Sequence, residues 1–149
     1  MVIDVNVLVY AFDSRSVDHE RYASWLEGVL GSGELVGVSD LVLSAFVRIV
    51  THPRILVRPA AIETALAFAN QVRDAPATAV VSPGARHWTI FEQSCRSVGA
   101  KGNLVADAFH AALAIESGAE MITTDRDFSR FPGLRWRHPL DGPSRTTRG

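Results

Sequence analysis

Along the chain, short runs of β-branched residues alternate with longer segments whose apolar positions recur every three or four residues. The run Val2–Val9 reads as a first strand, with Asp4 or Asn6 near its exit. In 18–30, Tyr22, Trp25, Leu26, Val29 and Leu30 fall at helical spacing, and Gly31 and Gly33 close that helix. Leu35–Val38 is a short second strand. Ser39 or Asp40 can cap the helix LVLSAFVRIVT, which stops ahead of Pro53. Pro59 then opens a helix with Ile62, Leu66 and Ala69 on one side.

The second half keeps the alternation. TAVVS predicts a third strand, GARHWTIFEQSCRSVG a helix closed by Gly99, and NLVADAFHAALAIESG an alanine-rich helix closed by Gly118. EMITT is a fourth strand and LRW a fifth. Strands alternating with helices predict an α/β domain with a mainly parallel sheet. No repeat, linker or low-complexity block interrupts it, so a single domain is expected over 1–141, with 142–149 (GPSRTTRG) as a frayed, flexible C-terminal tail.

Composition changes this picture little. A chain of 149 residues, 47% apolar and 21% charged, can bury a core without staples. A lone cysteine, Cys95, excludes an internal disulfide and a cysteine-based zinc cluster, and fits a reducing compartment. No apolar run reaches the roughly 18 residues of a membrane helix. Asp4 interrupts the first apolar run and no basic segment precedes it, so no export signal is expected and the cytoplasm is the default location. The net charge of −1 lacks the basic excess of many nucleic-acid binders. A polyanionic partner would need locally concentrated cations or a metal.

Carboxylates supply the candidate chemistry. In parallel sheets, ligands bind beyond the carboxyl ends of the strands. Asp4 lies at the exit of the first strand and Asp125 at the exit of the fourth; if those strands are neighbours, both face one crevice. Asp107 lies in the first turns of the alanine-rich helix, where an unpaired charge is costly to bury and the helix dipole recovers only about 0.3–1 kcal/mol. A single aspartate after a strand is ordinarily a turn or helix cap. Three on elements expected to meet at one edge describe instead a site for a hard cation, Mg²⁺ or Mn²⁺. Such an ion offsets the mutual repulsion of the carboxylates and suits metal-assisted phosphodiester hydrolysis. Asp127, in DRDF, can equally cap the following turn.

The segments IDVNVLVYAF, LVLSAFVRIVTHPRI and LVADAFHAALAIESGAEMITTDRDFSRFPGL together resemble the PIN-domain ribonucleases, and among them the VapC toxins of bacterial toxin–antitoxin pairs. The resemblance runs from Val2 to about Leu140. It implies a PIN-like α/β/α sandwich and Mg²⁺- or Mn²⁺-dependent cleavage of RNA, often tRNA or ribosomal RNA. It implies Asp4 and Asp107 as principal metal ligands, Asp125 completing the set, Asp127 as an outer member, and Asn6 and Thr124 as small polar groups bracing the ligands. It further implies a homodimer and a VapB-like antitoxin laid over the active site; that no membrane partner is expected follows from the hydropathy above. One position departs from the family pattern. Where the family has an acidic glutamate, this chain has Ala45, which keeps the helix but cannot bind a cation, so weakened or absent activity is expected. The change fits either a natural variant or a deliberately disarmed chain.

Arg15, Arg48, Arg54, Arg126 and Arg130 are the candidate phosphate contacts, with Arg126, Arg130 and Arg15 foremost, because guanidinium grips phosphate oxygens bidentately. His110 shares a helix face with Asp107 and is read as structural or supporting. No Ser/His/Asp or Cys/His set suggests a covalent nucleophile, and no Gly-x-Gly-x-x-Gly follows the first strand, which excludes a dinucleotide site. Two other readings stay open: a structure-specific DNA nuclease, and a non-catalytic PIN-like module that binds RNA or protein, for which Ala45 speaks most.

Overall fold

The computed structural model of the chain describes residues 1–142; of the predicted tail 142–149, residues 143–149 lie outside the described residues. Among the described residues five strands run in parallel: β1 (Val2–Ile3), β2 (Val36–Val38), β3 (Thr78–Val80), β4 (Met121–Ile122) and β5 (Trp136–Arg137), in the order β3-β2-β1-β4-β5. The order reverses between β1 and β4, so the exits of those strands flank the switch point where such sheets bind ligands. The predicted adjacency of the Asp4 and Asp125 strands is therefore present.

Among the described residues, six helices cover the sheet: α1 (Val5–Phe12), α2 (His19–Gly31), α3 (Asp40–Val50), α4 (Ile62–Arg73), α5 (His87–Val98) and α6 (Asn103–Glu116). Side chains alternate across a strand, and β4 shows the consequence. Ile122 joins the cluster built from α1–α4 around Phe46, whereas Met121 joins a second cluster with α6 and the rings of Phe128 and Phe131. These are the two outer layers of an α/β/α sandwich.

Several predicted boundaries move. Residues 5–12 form a helix rather than the continuation of the first strand. Val7, Leu8, Val9 and Ala11 are buried together, and an apolar run buried on most sides carries no period to separate strand from helix. The decisive residue is Asp4, extended, whose carboxylate accepts the Val5 N–H and caps α1. Likewise α4 begins at Ile62 and not at Pro59. Among the remaining elements, Ser39 Oγ accepts the Val42 N–H at 3.0 Å and caps α3, and Arg73 on α4 is fastened to Asp40 at 2.8 Å. Gly102, with φ +57°, supplies the backbone turn that starts α6 and so sets the height of Asp107.

Candidate active site

Asp4, Asp107, Asp125 and Asp127 line one crevice of about 720 Å³, together with Asn6, Ala45, Arg48, His110 and Arg130. Its floor is the β1–α1 junction, one wall is α3, another is α6, and the turn after β4 closes the remaining side. A more apolar depression of about 470 Å³ among α1, α2 and α4 contains none of the predicted acidic residues.

Asp4 is the most constrained member. It is only 4% exposed. One carboxylate oxygen accepts the Val5 N–H at 2.7 Å, the other the Thr123 hydroxyl at 2.7 Å, while its own N–H donates to the Ile122 carbonyl at 2.9 Å. Burial raises its pKa against the opposing pull of those two hydrogen bonds and of His110. The Thr123 hydroxyl also accepts the Asp125 N–H at 3.0 Å, so one fully buried group ties the two strand exits together. Asp125 in turn accepts the Asp127 N–H at 2.9 Å and caps the 3₁₀ turn Arg126–Arg130.

Asp107 stands on the wall opposite α3. Burial, reinforced by the negative charges of Asp125, Asp4 and Asp127, pushes its carboxyl up to about 6. His110, one turn along α6, is held below the ordinary imidazole range, chiefly by burial, although Asp4 pulls the other way.

The structure thus brings Asp4, Asp107, Asp125, Asp127, Asn6, Ala45 and Arg130 into one crevice. It separates others. The hydroxyl that braces Asp4 belongs to Thr123 rather than Thr124, whose side chain makes no hydrogen bond among the described residues. Arg126 is exposed at the start of the turn and does not line the crevice, and Arg15 lies past the far end of α1 in a separate depression with Arg58. Sequence reasoning missed Thr123, and also Asn103, which lines the crevice. Nothing distinguished Thr123 from its neighbour except a one-residue difference in register, which decides the face of a strand.

The donors are all oxygen or imidazole, which fits a hard cation. Among the described residues, however, no three His, Cys, Asp or Glu side chains stand close enough to grip an ion. The carboxylates share a crevice without being drawn to a point.

A PIN-domain model matches residues 1–134. Ribonuclease VapC43 of Mycobacterium tuberculosis is 42% identical, over 95% of this chain and 97% of its own length. The chain belongs to the PIN-domain family of VapC ribonucleases. Ribonuclease VapC37 of the same organism is 38% identical to this PIN domain, over 93% of the chain and 96% of that relative. The PIN domain also superposes on a chain of VapBC2 from Rickettsia felis, solved bound to a DNA fragment from their promoter, with a TM-score of 0.69 over 92% of this chain and 96% of that one. At 18% identity that likeness shows the shared fold. Among the described residues, no helix of this PIN domain is long and apolar enough to cross a membrane.

Proposed function

We propose that this chain is the toxin of a toxin–antitoxin pair, a Mg²⁺- or Mn²⁺-dependent endoribonuclease acting in the cytoplasm, with its nuclease domain spanning 1–141. Its membership among the VapC ribonucleases supports the activity. The observation that carries the site is the gathering of Asp4, Asp107, Asp125 and Asp127 in one crevice, with the Asp107 carboxyl raised to about 6 by burial and by the other three. Such a cluster is short of positive charge.

Asp4, Asp107 and Asp125 would hold the cation, with Asp127 and Asn6 at its margin. The wide spacing of the carboxylates suits an ion that keeps part of its water shell, as Mg²⁺ does when bound through one or two carboxylates. When bound, a divalent ion there supplies acidified water and charge stabilisation for phosphodiester hydrolysis. The chain's own residues do the rest. Thr123 fixes the Asp4 carboxylate and the Asp125 backbone in one arrangement, and burial holds the His110 imidazole below its ordinary pKa beside them. Asp107, ionised above about pH 6, completes the anionic wall. No side chain is assigned as a covalent nucleophile.

Ala45 lines the crevice. A carboxylate at this position would belong to the acidic set, so its replacement by a methyl group weakens the hold on the cation. The RNA is of the tRNA or ribosomal class, as the family resemblance implies, with Arg130, which lines the crevice, as an RNA contact and Arg126 and Arg15 farther along the strand. A VapB-like antitoxin and a second copy of the chain are its protein partners; the similar fold in the VapBC2 assembly supports the former.

The test is incubation of the purified chain with total RNA and Mg²⁺, with 5′-end sequencing of the products and Asp4→Asn as control. Discrete metal-dependent cuts absent from the control are expected. Ala45 favours one rival, a module that binds RNA without cutting it; metal-independent RNA binding with no cuts even after Ala45→Glu would establish that rival.

A further inference from the structure

Among the described residues, several arginines are already held in ion pairs. Arg73 pairs with Asp40, Arg137 with Glu120, Arg96 with Glu92 and Arg21 with Asp18. Arg48 and Arg130 differ. Both line the crevice that holds four aspartates, yet among the described residues neither guanidinium comes within the 4.0 Å of an ion pair with any of them.

Their placement is a consequence of the fold. On α3, Ala45 and Arg48 are three residues apart and share the crevice face, so Arg48 rises one turn beyond the position lacking a carboxylate. Arg130 ends the turn capped by Asp125, on the side reached from β4. The two cations therefore come from different walls, α3 and the post-β4 turn, and both are exposed at the rim, while Asp4 is buried at the floor. A crevice of about 720 Å³ is of the size that takes a nucleotide-scale fragment.

Electrostatics makes this arrangement consequential. A polyanion entering an acidic crevice is repelled unless positive charge meets its phosphates first. Two guanidiniums without carboxylate partners do this without neutralising the acidic floor.

We propose that Arg48 and Arg130 form a two-walled clamp that grips the RNA phosphates on either side of the scissile one and so threads the strand over Asp4. The clamp rests on the ribonuclease reading above and adds to it the residues that position the substrate. Arg48 is thereby a positioning residue on α3, and it explains how a chain of net charge −1 recruits a polyanion: the positive charge is local and paired across the crevice.

The test measures binding of a fluorescein-labelled single-stranded RNA by anisotropy between 50 and 200 mM KCl, in Ca²⁺ buffer. The full chain is compared with Arg48→Gln, Arg130→Gln, the double variant, and Arg96→Gln, which is exposed on α5 and outside the crevice. Each phosphate contact to single-stranded RNA contributes about 0.7 to the slope of log affinity against log salt. Each single variant should lose about 0.7 in slope and bind about tenfold more weakly. The double variant should lose both contributions, and Arg96→Gln neither. Arg48→Lys should keep the slope but not the full affinity, since ammonium cannot make the bidentate contact. Unchanged slopes in the Gln variants, with RNA binding by the unmodified chain intact, would overturn the clamp alone. A chain that neither binds nor cuts RNA would overturn the ribonuclease reading and the clamp with it.

Discussion

The Thr123 hydroxyl donates to the Asp4 carboxylate at 2.7 Å across 119 residues of sequence, and the same oxygen accepts the Asp125 N–H at 3.0 Å. A single buried hydroxyl thus joins the exits of β1 and β4, the strands on either side of the switch point. Removing it leaves the buried Asp4 carboxylate and the Asp125 N–H each short of a partner. Thr123→Val should destabilise the chain by about 1–3 kcal/mol, the range for orphaning a buried polar group. Thr123→Ser should keep most of the stability. Urea unfolding midpoints distinguish them: equal midpoints for the Val variant and the unmodified chain would show that this bond does not hold the site together.

The raised pKa of Asp107 makes stability depend on pH in a defined direction. A folded carboxyl at about 6 against an ordinary value of 3.8 means that the unfolded chain releases this proton first. In the absence of divalent ions, stability should therefore fall as pH rises from about 4 to 6, and level off above. Asp107→Asn should remove that part of the decline and raise the melting temperature at pH 7. Thermal scans in chelator check both; a profile identical in the two proteins would contradict the assignment.

Ala45→Glu adds a carboxylate to the crevice wall. Without metal it should lower the melting temperature, because a fifth acidic group joins four already in mutual repulsion. With Mn²⁺ the sign should reverse, since preferential binding to the folded state stabilises it. Affinity should rise at least about tenfold, the scale on which supporting groups tune metal sites, and RNA cleavage should rise with it. Calorimetry and a gel assay supply the two readouts.

Gly37, at the centre of β2, tests the sheet that positions the site. A Cβ there would lie 2.8 Å from Val81 Cγ2 and 3.1 Å from the Met1 carbonyl. Gly37→Ala should cost about 1–3 kcal/mol through overpacking, measured by urea unfolding, and should widen the spacing of β1 from β2.

Much of this was legible in the sequence, and what was not has physical causes. Asp4 and Asp125 announced themselves because each ends an apolar run abruptly, and chain alternation alone implied a parallel sheet whose strand exits collect ligands. The helix at 5–12 was hidden because Val7, Leu8 and Val9 are buried on most sides, which erases the amphipathic period. Its one visible signal was Asp4 itself, a capping residue before an apolar run. Thr123 and Thr124 are indistinguishable until the register of β4 is known. The clamp arginines could be listed but not selected, since only the fold shows that Arg48 and Arg130 share the crevice while Arg15 and Arg126 do not.

The central claim is that folding assembles distant aspartates into a cation-holding crevice. Anomalous diffraction from crystals of the chain soaked in Mn²⁺ tests it most directly. A single strong peak is expected in the crevice between Asp4 and Asp107, within direct or one-water reach of both, and absent from Asp4→Asn crystals. Full-occupancy peaks only elsewhere on the surface, with the crevice aspartates unshifted and no ion between them, would contradict it.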